Sequence, residues 1–159
     1  MANLVTTACH PVLGEDWEML KSEQVQLQAR SEHIQMQLDA ACCVEQMLGI
    51  ARTFYQLTGR QLQTYGDLGE LYAVAKFGVI LHKKRNVAGS DGKMGNHFVE
   101  VKTITPAKTA ASVRVKRNGN FGKLLIVRVF ENFTIEGKMV AKSDLPKGDG
   151  DMVTVAWPA

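Results

Sequence analysis

The hydrophobic pattern changes period once, at Gly78, and that change limits what this chain can become. From Glu15 to about Leu62 the apolar residues return at helical spacing, with no proline in the span. Leu20, Leu27, Ile34, Ala41, Leu48 and Tyr55 recur every seventh residue, and Leu38, Val44 and Ala51 fill neighbouring positions. Gln24, Ser31 and Glu45 interrupt the second seam of a coiled coil, so the pattern favours helices packed on a domain or on a dimer face. Gly49 and Gly59 are expected to divide or end them. Gly66 opens a further helix, Leu68 to Phe77, stopped by Gly78.

Beyond Gly78 the period is two. Strands are expected from Val79 to Leu81, His97 to Thr103, Ser112 to Arg117, Phe121 to Phe130 and Phe133 to Val140. Glycine-rich turns separate them, at Gly89-Ser90-Asp91-Gly92 and Asn118-Gly119-Asn120. Residues 1–14 read as a loop or arm, and Lys147 to Ala159 carries no clear pattern. Helices followed by a run of strands predict an α+β fold: a mixed central β-sheet flanked by helices, with an N-terminal helical extension. The division falls between a helical region, 1–63, and an α/β core, 64–159.

A chain of 159 residues is long enough to bury a core without staples, and 45% hydrophobic with 22% charged residues is a globular composition. The longest apolar run in the strand region, Leu124 to Val127, stops at Arg128, far short of a membrane span. The first residues lack a basic and apolar leader pattern, so a cytoplasmic location is expected. Three cysteines, with Cys42 and Cys43 adjacent, match neither a disulfide framework nor a zinc spacing. Their place in an apolar helical pattern suggests buried thiols.

The net charge of +3 conceals a division along the chain. Residues 1–65 carry four basic against seven acidic groups. Residues 76–128 carry twelve Lys or Arg against two acids, Asp91 and Glu100. A basic stretch of this density is the footprint of a face for a polyanion such as DNA. Lys83, Lys84, Arg85, Arg114, Lys116 and Arg117 are its candidate backbone contacts, with Arg114 and Lys116 on one strand face.

The two lone acids need their own explanation. Three acid-x-Lys triplets occur, but two have a central glycine and read as turns; only Glu100-Val101-Lys102 lies in an apolar strand. Alternation puts Glu100 and Lys102 on one face and Val99 and Val101 on the other. If the flanking strands form a hairpin, Asp91 returns beside Glu100. Two carboxylates brought together repel unless a cation lies between them, and oxygen ligands suit Mg²⁺ or Mn²⁺. Glu70, on the preceding helix, is a third candidate.

Glu70 on a helix, Asp91 after a strand, and Glu100-Val101-Lys102 in the next strand resemble the PD-(D/E)xK nuclease superfamily, over roughly residues 64–145. Ser90 stands where the motif has its proline. The resemblance implies a restriction endonuclease-like fold and Mg²⁺-dependent hydrolysis of DNA phosphodiester bonds. It implies that Asp91, Glu100, the Val101 carbonyl and Glu70 hold the metal and that Lys102 serves the attacking water. Such enzymes usually carry a helix after the motif strand, whereas 105–120 reads as a proline, small residues and a basic strand. The alternative is a nucleic-acid-binding or regulatory module on the same scaffold that does not cut. Cutting both strands of a duplex favours a homodimer, for which the Leu20 to Tyr55 stripe is the expected surface.

Overall fold

The structure is a computed structural model and describes residues 14–84, 89–148 and 150–158. The chain divides into two compact units, Met1–Gln35 and Met36–Ala159. The division lies inside the first helix, whose later part packs with the strands.

Helix α1 runs unbroken from Gly14 to Thr58. Gly49 does not divide it: one interior glycine costs about 1 kcal/mol, less than the burial that Val44 and Ala51 secure on either side. Gly59, at φ 67°, ends it. In the first unit, Leu20, Leu27 and Ile34 are 53%, 66% and 48% exposed. In the second unit the buried strip is Ala40, Val44 and Ala51, with Leu48 packed beside it. Cys42 and Cys43 fall outside that strip and are exposed, contrary to expectation.

Helix α2, Tyr65–Phe77, begins three residues earlier than the glycines suggested and ends at Gly78 in the left-handed region. Leu68 and Tyr65 join Val44, Ala51, Val129 and Phe133 in one cluster. Ala73 meets Val99, Val101, Leu125 and Val127 in a second.

Among the described residues seven strands follow: β1 Ile80–Leu81, β2 Gly92–Met94, β3 His97–Ile104, β4 Ser112–Lys116, β5 Lys123–Val129, β6 Ile135–Ala141 and β7 Met152–Ala156. Five form a mixed sheet in the order β1-β2-β3-β5-β6, in which only β3 and β5 run parallel. Parallel neighbours need a crossover, usually a helix. Here β4 supplies it, and pairs antiparallel with β7 in a separate two-stranded sheet. The patternless end of the sequence therefore contains a strand.

Helices thus cover one face of the main sheet and the small sheet lies against the other. Val113, Val115, Val153 and Val155 from the small sheet join Ile104, Leu124 and Ile126 in a third cluster. A β-strand can make this crossover because its valines, at period two, bury one face and leave Arg114 and Lys116 exposed on the other. Among the described residues no helix is long and apolar enough to cross a membrane.

Candidate functional site

The site is built where β2 leaves β3. Gly92 pairs with Val99, and the Asp91 amide donates to the same Val99 carbonyl at 2.9 Å, so two residues of one strand face one of the next. Such a bulge bends the strand away and re-aims its side chain. With β2 gone, the Val101 amide needs an acceptor, and Asp91 Oδ2 takes its hydrogen bond at 2.7 Å. The Asp91 carboxylate is therefore held against the peptide that joins Glu100 to Val101. The hairpin thus returns Asp91 to the β3 backbone next to Glu100, while the Glu100 side chain enters the cleft. A strand residue points its N–H and C=O to the same edge, so the Val101 carbonyl opens on this side too.

Glu100 and Lys102 project from the other face of β3 to Val99 and Val101, as alternation requires. They form an ion pair at 2.5 Å, with the Glu100 side chain only 14% exposed and Lys102 36%. Both line a cleft of about 350 Å³ together with Arg114 and Lys116 from β4 and Gly89 from the turn before Asp91. Gly89 is required there: its φ is +84°, and a Cβ would stand 2.3 Å from the Asn120 amide. That approach lets the Asp91 turn sit against the turn between β4 and β5. The crossover strand thus delivers two cations to the wall of the cleft that carries Glu100 and Lys102.

The other candidates are distributed differently. Glu70 follows Gly69 on α2, where a Cβ on Gly69 would lie 2.0 Å from Thr103 Oγ1. This helix packs on the Val99 and Val101 face, so Glu70 stands on the other side of β3 and does not line the cleft. Among the described residues no three His, Cys, Asp or Glu side chains gather as a ready ligand set. Lys83 and Lys84 are exposed just beyond β1, outside the cleft, and Arg85 lies outside the described residues. Arg117 is engaged elsewhere, donating to the Pro146 carbonyl at 2.6 Å and the Gly150 carbonyl at 3.2 Å. It holds the loop that leads into β7.

Two residues carry no functional signal in the sequence. Ser90 is 3% exposed, and its hydroxyl is 3.1 Å from His82 Nε2. The His82 amide also donates to the Asp91 carbonyl at 3.0 Å. A scattered histidine gives no hint of such a role; only pairing of β1 with β2 reveals it.

A larger recess, about 540 Å³, lies at the C-terminal ends of β3 and β5. Its charges balance, Lys108 and Arg128 against Glu131 and Glu136, whereas the smaller cleft holds three cations and one carboxylate. The smaller one is the better fit to a polyanion. The chain matches no protein-family model and no curated protein.

Proposed function

We propose that this chain is a divalent-metal-dependent DNA endonuclease of the PD-(D/E)xK, restriction endonuclease-like kind, centred on Asp91, Glu100 and Lys102. The observation that carries the proposal is the Asp91 carboxylate fixed on the Val101 amide beside a Glu100–Lys102 pair, in reach of a cleft walled by Arg114 and Lys116. A protein that only bound nucleic acid would gain from cations here and lose from two carboxylates.

The donor set suits Mg²⁺ or Mn²⁺. Asp91, Glu100 and the Val101 carbonyl are hard oxygen ligands, and Mg²⁺ keeps several waters rather than demanding a full protein cage. Glu70, on the helix side of β3, would complete the shell directly or through water. When bound, the metal supplies Lewis-acid polarisation of the scissile phosphate and lowers the pKa of water.

The remaining work belongs to the protein. Asp91 holds one oxygen on the Val101 amide, which leaves Oδ1 to meet a cation in a fixed direction. With Glu100 engaged by a metal, Lys102 would be free of its ion pair, and its ammonium could orient the attacking water and offset charge on the phosphate. Arg114 and Lys116 hold phosphates that flank the cut, fixing register without reading bases. The exposed Leu20, Leu27 and Ile34 stripe would pair with that of a second copy, placing two such centres in one dimer. The test is a labelled DNA duplex incubated with the protein: cutting in Mg²⁺ or Mn²⁺ that stops in EDTA supports the proposal. An intact duplex in every metal, with the protein bound to it, favours the non-cutting module.

A further inference from the structure

We propose that His82 is a positioning residue, which fixes the Asp91 turn through its hydrogen bond to the buried Ser90 hydroxyl; this rests on the reading of Asp91 as a site residue. Asp91 has no regular strand to hold it, because β2 begins only at Gly92 and the bulge has turned the chain away from β3. Besides the Asp91 amide bond to the Val99 carbonyl, two attachments to His82 hold this turn. Its amide donates to the Asp91 carbonyl at 3.0 Å, and its ring meets Ser90 Oγ at 3.1 Å.

The Ser90 hydroxyl is sealed from water at 3% exposure, so losing the ring would strand a buried polar group. The pair works with either ring tautomer, since a hydroxyl donates to a bare nitrogen or accepts from a protonated one. The ring itself is seated beside Phe98, with centroids 6.0 Å apart, and Phe98 lies under Lys93 Nζ at 4.5 Å. Phe98 of β3 thus seats the ring, and Lys93 of β2 covers Phe98. The effect of His82 reaches the site through one bond, Asp91 Oδ2 to the Val101 amide. In the motif that this strand pair resembles, a proline precedes the aspartate; here a bonded serine would supply the rigidity that a proline ring supplies by fixing φ.

The test measures hydrogen exchange of the Val101 amide in the full chain, for wild type, His82→Ala, His82→Gln, Ser90→Ala and the His82→Ala/Ser90→Ala double variant. Gln carries a nitrogen near the position of Nε2 and should hold the hydroxyl. The expected result is exchange at Val101 faster by about tenfold or more in His82→Ala, with Leu125 and Ile126 in the core unchanged. His82→Gln should restore most of the protection, and the double variant should be no worse than about twofold beyond either single one. A parallel titration of cleavage against Mg²⁺ should show a higher half-saturating concentration in His82→Ala, with the rate at saturating metal little changed. Unchanged exchange at Val101, equal acceleration throughout the core, or no rescue by Gln would overturn the role of His82. Exchange reports on the bond whether or not the chain cuts DNA, so a failure of the nuclease reading shows in the cleavage arm alone.

Discussion

Two helical glycines separate what space permits from what the backbone prefers. Gly49 faces open solvent, with nothing within 4 Å of a Cβ, whereas a Cβ at Gly69 would meet Thr103 Oγ1 at 2.0 Å. Alanine is the better helix former, so Gly49→Ala should stabilise by about 1 kcal/mol, raising Tm by about 2–4 °C. Gly69→Ala should destabilise by about 1–3 kcal/mol, because the β-branched Thr103 is stiff and α2 could no longer approach β3 so closely. Thermal melts of the two variants read both signs.

Two tyrosines give the fold an alkaline limit. Burial pushes the Tyr65 phenol above its ordinary value. Burial does the same for Tyr72, the Glu136 carboxylate adds to it, and a hydrogen bond with the Gly137 backbone opposes it. As pH rises through about 10, the unfolded chain releases these protons before the folded one does. The stability they contribute is present below that value and disappears as pH climbs through the raised ones. Melts taken from about pH 9 to 11 should fall less steeply in Tyr72→Phe than in wild type.

At the scale of the element, β4 is the unexpected piece. In place of a crossover helix it brings Arg114 and Lys116 into the cleft that holds Glu100 and Lys102. Replacing both with alanine should lower the salt dependence of DNA binding, with the log–log slope less steep by about 0.9 for each phosphate that is no longer neutralised. Lys83→Ala, outside the cleft, should change it less. Binding measured by fluorescence anisotropy across a salt series distinguishes the two.

The motif strand was legible because period two, an apolar face and a single acid-x-Lys triplet coincide in eight residues, His97–Ile104. The turn that brings Asp91 back was legible from its glycines. The bulge at Asp91 was not, since it depends on which carbonyl two amides share. Nor was the pairing of β4 with β7, because strands about 35 residues apart leave no mark of partnership in either one. α1 was read in part. Val44 and Ala51 from the expected pattern are buried and Leu48 packs beside them, but the seven-residue stripe itself leaves Leu20, Leu27 and Ile34 exposed, and Ala40 joins the core unannounced. Smaller residues allow the closer packing, and the exposed thiols of Cys42 and Cys43 follow from the same choice of face.

For the whole molecule, the exposed Leu20, Leu27 and Ile34 are apolar surface without a cover among the described residues. On the proposed reading, a second copy would pair along this stripe. Light scattering after size exclusion should give the mass of a dimer, and Leu27→Lys should give a monomer of 17.5 kDa with an intact α/β unit. A wild-type monomer at every concentration would remove the dimer from the account without touching the Asp91 site.

The most direct measurement is cleavage of supercoiled plasmid by wild type, Asp91→Ala and Lys102→Ala at matched Mg²⁺, with folding of each variant checked by its thermal melt. Wild type should give nicked or linear product, and none in EDTA, with a rate lower by about 10²-fold or more in both variants. Cleavage that survives both substitutions, or a folded wild type that binds DNA and Mg²⁺ and leaves the plasmid supercoiled, would contradict the nuclease reading.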